Sequence, residues 1–186
     1  MSAMLKEMTI EEFLTWEGRQ EGRYEFDGFR PMAMTGGTLA HEIIGGNLRA
    51  ELRDRLRGSQ CTPLGPNTKI EVAGRIRYPD ALVFCSPVDL KATVIRDPVV
   101  VFEVLSDSTA DVDHIDKLRE YAATPSIQRY VILEQNRIAA MVFVRGGDRF
   151  VVGTVTPGGS LVLSEIGVEL PIDELYRGAE PDQQPA

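Results

Sequence analysis

The 186 residues carry 28 acidic against 20 basic side chains, a formal charge of −8, with 43% apolar and 26% charged residues. That length suits one globular domain with a full core, and the acidic balance excludes coating of nucleic acid by bulk charge, though not a local basic patch or phosphate held through metal ions. Only two histidines and two cysteines are present, too few for the usual zinc chemistry, and Cys61 and Cys85, lacking CxxC spacing, predict no disulfide framework.

In chain order, Thr9 with Glu12 reads as a capping box opening a helix through Trp16. The stretch RYEFDGFRPMAM follows, two strand-like runs about Asp27-Gly28, the signal of a hairpin. From Leu39 to about Arg57, Ile44, Leu48, Leu52 and Leu56 recur every fourth position and predict a long amphipathic helix stopped by Gly58. Three strands are expected next, over Thr68–Val72, Tyr78–Cys85 and Pro98–Leu105. Ser108 or Thr109 caps a second helix to about Ala123, halted before Pro125. Arg129–Glu134, Arg137–Val144, Phe150–Val155 and Ser160–Leu163 read as a meander, and Pro171–Tyr176 as a short last helix. Residues 1–177 are expected to form one domain and 178–186 a disordered tail. The longest apolar run is seven residues, so no membrane span is expected, and the N-terminus lacks an export signal; a cytoplasmic protein is expected. Mixed order of this kind predicts an α/β (α+β) fold, a mixed sheet flanked by helices with an added N-terminal hairpin and a C-terminal meander.

That longest run, Val99 to Leu105, has Glu103 at its centre. A strand this apolar is buried on both faces, where an unpaired carboxylate costs several kcal/mol or takes up a proton. The preceding strand carries Asp80 directly after Pro79, which lacks the N–H a central strand donates and so marks a bend or strand start. If the two strands pair, both carboxylates enter one pocket, and a divalent cation or a shared proton relieves their repulsion. On the following helix Asp113, Lys117 and Tyr121 lie four apart on one face, so Lys117 can reach back toward Glu103. Ser106, Ser108 and Thr109 lie where backbone N–H groups can hold an anion.

The pattern YPD…VVFEVLSDST…D…K…Y…YVIL, with the N-terminal MTIEEFL, RYEFDG and the His41 helix, resembles the Uma-type family of putative restriction endonucleases, a branch of the PD-(D/E)XK nuclease superfamily. The resemblance spans about Met8 to Val144. It implies a restriction-endonuclease-like core, Asp80 and Glu103 as metal-binding acids for Mg²⁺ or Mn²⁺, and Glu25 as an acid near the site. The superfamily lysine two residues past the second acid is Leu105 here, so the resemblance implies Lys117 in its place. The implied activity is endonucleolytic cleavage of nucleic acid, DNA expected. With few residues devoted to reading DNA, a homodimer that spans a duplex is expected, its candidate interface the meander from Arg137 to Leu163.

Plainer readings stand beside these. Asp80 and Glu103 can pair structurally with Arg75 or Arg77, Lys117 with Asp113 or Glu120, and Tyr121 can serve packing alone. Glu25 can be a solvated hairpin residue, and His41 a helix-start residue that caps or packs. Ser106 with His114 lacks the G-x-S-x-G elbow of a hydrolase. Arg49, Arg53 and Arg57, with Arg55 nearby, suit either DNA phosphates or, given Glu51 and Asp54 among them, a solvated face. The competing functional class is a nuclease-fold binding or regulatory module without catalysis.

Overall fold

The computed structural model describes residues 8–105 and 112–181, without the side chains of residues 112–114. Helix α1 (Ile10–Glu17) opens on the expected box: Glu12 N–H donates to Thr9 Oγ1 at 3.1 Å, and Thr9 N–H to Glu12 Oε2 at 3.0 Å. The hairpin β1 (Tyr24–Phe26) and β2 (Pro31–Ala33) follows, its turn closed by Asp27 Oδ1, which accepts the Phe29 and Arg30 N–H groups at 2.8 Å each. Helix α2 (Leu39–Arg55) is capped by Thr38 and buries Ile44, Leu48 and Leu52, the predicted stripe. Six strands, rather than three, precede the next helix: β3 (Thr62–Leu64), β4 (Lys69–Val72), β5 (Arg75–Arg77), β6 (Ala81–Phe84), β7 (Val94–Ile95) and β8 (Val100–Leu105). Then come α3 (Val112–Ala122), β9 (Arg129–Glu134), β10 (Ala140–Gly146), β11 (Arg149–Val155), β12 (Ser160–Leu163), β13 (Val168–Pro171) and α4 (Ile172–Leu175). The expected caps of α3, Ser108 and Thr109, lie outside the described residues.

The strands divide into a six-stranded sheet in the order β11-β10-β9-β8-β6-β3, a five-stranded one in the order β2-β1-β5-β4-β7, and the β12–β13 ladder. Pairing of β8 with β9 is parallel and of β6 with β8 antiparallel, so the larger sheet is mixed, as expected. Alternation sends Val100, Phe102 and Val104 toward the core under α2 and α4, while Val101 joins the opposite cluster with Tyr121, Tyr130 and Ile132. Glu103 shares that second face.

Two expectations need correction. The strand expected over Tyr78–Cys85 is broken: Pro79 ends pairing, Ala81–Phe84 belongs to the larger sheet, and Arg75–Arg77 is a separate strand of the smaller one. The β4–β5 turn escaped the sequence reading because Ala73 occupies φ 47° beside Gly74 at φ 77°, and alanine is no turn signal. Cys61 and Cys85 are joined in a disulfide, contrary to the expectation from their spacing. The β3–β6 register pairs Thr62 with Phe84, so the next position sets the two cysteines opposite each other, 4.0 Å apart at Cα. A separation of 24 in sequence hides a cross-strand pair. Among the described residues no helix is long and apolar enough to cross a membrane.

Candidate active site

The β6–β8 ladder pairs Ala81 with Phe102, so one further step sets Asp80 opposite Glu103. Pro79 ends β6 at that point, and the freed Asp80 side chain turns onto β8, where its Oδ2 accepts the Val104 N–H at 2.7 Å. Both acids line one cleft of about 580 Å³, together with Glu25, His41 and Lys117. The β1–β2 hairpin and the segment leading into α2 supply Arg30, Met32, Met34 and Gly37 to the wall, and Arg77 and Asp116 line it from β5 and α3.

Helix α3 presents Lys117 and Tyr121, four residues apart, to the same oxygen. Lys117 Nζ lies 3.1 Å from Glu103 Oε1, and the Tyr121 hydroxyl donates to that oxygen at 3.0 Å. No hydrogen bond engages Oε2 among the described residues. Burial is the largest influence on Glu103 and raises its pKa; Lys117 opposes it, Asp80 reinforces it, and the carboxyl is pushed up to about 7. Tyr121 is itself fully buried, and burial with the adjacent Glu103 holds its hydroxyl well above the usual tyrosine range. Tyr121 thus packs in the core and sets its hydroxyl on Glu103.

Glu25 sits on β1 with its two oxygens committed: Oε1 accepts the Tyr78 N–H at 3.0 Å and lies 3.8 Å from Lys117 Nζ, and Oε2 accepts from Arg77 at 3.0 Å. It is buried, so the solvated-hairpin reading fails. His41 stands at the start of α2: its backbone N–H donates to Thr38 Oγ1, and its ring Nε2 lies 3.2 Å from Asp80 Oδ2. The hydrogen bond to Asp80 raises the imidazole pKa against the opposing pull of burial. A methyl group on Gly37 would meet His41 Nδ1 at 2.7 Å, so glycine makes room for the ring. The side chains of Asp113 and His114, and all of Ser106, lie outside the described residues.

The plain ion-pair alternatives go elsewhere. Arg77 donates to both oxygens of Glu120, at 2.7 and 2.6 Å, and Arg75 adds a contact to Glu120 at 3.0 Å, so neither arginine serves Asp80 or Glu103. Along α2, Arg55 pairs with Glu51 and Glu174, and just past its end Arg57 pairs with Asp54, as a solvated face would. Arg49 differs: one of its N–H groups reaches the Asp80 carbonyl at 3.4 Å. Sequence reasoning missed Arg49, Arg77 and Glu120 as supports of the site, and no local pattern marks them, because each meets its partner across more than 30 residues.

Chemically, the cleft offers two hard carboxylate donors, a lysine on one of them, and an imidazole on the other. Among the described residues no three His, Cys, Asp or Glu side chains form a metal cage. Two carboxylates suit Mg²⁺, which keeps several waters and takes remaining ligands from substrate phosphate.

The family model Uma2, described as "Putative restriction endonuclease", matches residues 10–173. An uncharacterized protein of Synechocystis sp. is 32% identical over 181 residues, 95% of each chain. The crystal structure of "a putative nuclease belonging to DUF820" from Anabaena variabilis superposes with a TM-score of 0.77 at 13% identity, covering 92% of this chain and 99% of the other. At that identity the likeness is one of fold, and it extends to nearly the whole of both chains.

Proposed function

The chain belongs to the Uma2 family, and from that premise we propose that it is a Mg²⁺-dependent endonuclease hydrolysing phosphodiester bonds of nucleic acid, with DNA the preferred substrate. The observation that carries the reading is the pairing of Asp80 with Glu103 at one cleft, with Lys117 on Glu103 Oε1.

Asp80 and Glu103 are the residues that would hold the cation. When bound, Mg²⁺ supplies Lewis-acid polarisation of a phosphoryl oxygen and a more acidic water. Tyr121 and Lys117 fix Glu103 through Oε1, which leaves Oε2 for the cation. Lys117 enters from α3 and takes the part of the strand lysine absent at Leu105; its ammonium stabilises charge that develops on the phosphate and orients the attacking water. Glu25 holds Lys117 from the opposite side while anchoring the chain at Tyr78. His41 keeps Asp80 oriented from the start of α2.

The test pairs binding with chemistry. Mg²⁺ or Mn²⁺ at a hundredfold excess over Kd is expected to stabilise the protein by about 2.7 kcal/mol. Asp80→Asn with Glu103→Gln is expected to abolish both that shift and cleavage of plasmid and single-stranded DNA. An equal shift in wild type and double variant overturns the shared site. A shift without cleavage of DNA or RNA supports the non-catalytic binding module instead.

A further inference from the structure

The sheet edges of this protein are not alike. Strand β3 ends the larger sheet with three residues, one of them Pro63, and is tied to β6 by the Cys61–Cys85 disulfide. In the smaller sheet β2 has three residues beginning at Pro31, and β7 has two. Short strands and prolines are the usual protection of an edge. Strand β11 has neither. It runs seven residues at the other end of the larger sheet, and its stretch FVVGTV holds no charge and no proline in a chain of net charge −8. Val151 and Val152 point to opposite faces, yet both are exposed, at 59% and 60%. A strand with both faces and one edge open is a template for pairing.

The hydrogen-bonding pattern selects a partner. The β10–β11 loop is the two-residue Gly147-Asp148, closed by Gly146 opposite Arg149. In an antiparallel hairpin the pair closing such a loop exchanges hydrogen bonds, and bonded pairs then alternate. Val151, Gly153 and Val155 therefore turn their backbone groups to β10, and Phe150, Val152 and Thr154 turn theirs to the open edge. We propose that β11 pairs antiparallel with β11 of a second copy, about a two-fold axis at Val152, joining the two larger sheets into one. In that register Val152 bonds its own counterpart and Phe150 bonds Thr154, so every outward N–H and C=O is used. Val151 then falls opposite Gly153, which leaves it space.

Charge fits the same register. Arg149 shares a face with Val155, the face that packs on the core under α2 together with Ala179. Two-fold pairing sets Arg149 opposite Val155 of the second copy. The two arginines therefore stand at opposite ends of a neutral strand, and no like charges meet across the pairing. The isologous pairing closes on itself, so it ends at a dimer. This inference stands apart from the nuclease reading and narrows the expected Arg137–Leu163 interface to one strand.

Sedimentation velocity on the full chain, at about 1 to 100 μM, is expected to show a species of twice 20.6 kDa that grows with concentration. Val152→Pro removes an N–H that the protomer does not use, so it is expected to melt like wild type and to associate at least a hundredfold more weakly. If proline disturbs the hairpin, Val152→Lys with Thr154→Lys leaves the backbone intact and is expected to give the same loss. Val152→Glu sets two like charges opposite each other on the axis and is expected to weaken association at least tenfold, and mixing it with Val152→Lys to restore a dimer. A monomeric wild type at the highest concentration, or a dimer indifferent to both strand variants, overturns the proposal. Failure of that mixture to associate overturns the register about Val152.

Discussion

Two charge clusters flank Glu25, and they are built on opposite principles. On one side Arg77 bonds Glu120 twice and Glu25 once, and Arg75 adds a second guanidinium, so two carboxylates meet two arginines. Burial disfavours the Arg77 charge, but Glu120 and Glu25 outweigh it and raise its pKa above the already high arginine value. On the other side Glu103 shares one lysine with Glu25 and faces Asp80, and burial prevails, pushing its carboxyl up to about 7. The first cluster is neutralised within the protein. The second sets Asp80 and Glu103 against Lys117 and the His41 imidazole among the described residues, and burial still favours the uncharged Glu103, which the proposed cation would reverse. Burial alone therefore does not separate a structural carboxylate from a candidate functional one; the local sum of charge does.

The comparison can be broken most severely at Arg77. Arg77→Met leaves Glu120 and Glu25 buried without their shared cation and is expected to cost about 3–5 kcal/mol in urea unfolding. A loss below 1 kcal/mol would mean that the balanced cluster is not structural.

The next effect falls on rate. Lys117→Met removes a buried cation from Glu103 and Glu25, so it is expected to lower stability and to weaken the metal-induced shift, and to slow cleavage at saturating metal by roughly a hundred- to thousandfold. Lys117→Arg keeps the charge in a planar fork and is expected to rescue only part of the loss. Wild-type cleavage by Lys117→Met removes the lysine from the mechanism.

Glu103 sharpens the contrast through pH. Its folded pKa is raised from 4.5 to about 7. Between those values the folded protein keeps a proton that the unfolded chain has lost, so this group's contribution falls as pH rises through that window. Fully expressed above it, the loss is on the order of 3 kcal/mol. Without divalent cations, Glu103→Gln is expected to flatten the decline in stability from about pH 4.5 to 7. An equally steep decline in the variant would show that Glu103 is as well neutralised as Glu120.

The smallest effect is expected at Tyr121. Tyr121→Phe removes one of the two groups on Glu103 Oε1 and keeps the ring in the core, for a cost of about 1–2 kcal/mol. Its activity loss is expected to be smaller than that of Lys117→Met. A loss as large in rate would place Tyr121 beside the lysine in the chemistry rather than behind the carboxylate.

The legibility of the fold followed the range of its interactions. The capping box at Thr9, the Asp27-Gly28 hairpin and the Ile44–Leu48–Leu52 stripe are set by neighbours within four residues, and each was readable. Glu103 also announced itself, as a charge inside an apolar strand, and Lys117 and Tyr121 by a helical spacing of four. What the sequence determined by itself was therefore the helices, the first hairpin and the residues to suspect. The rest depended on which strands became neighbours. The disulfide exists because β3 lies beside β6 in register, and Arg77 belongs to Glu120 rather than to Asp80 because Pro79 passes the chain from one sheet to the other. Glu103 faces Asp80 only because β8 pairs antiparallel with β6, and Lys117 reaches it only because α3 packs over that face. Periodicity fixes which side of an element a residue takes; only tertiary packing, through burial and register, decides which charge waits there and how far it is satisfied.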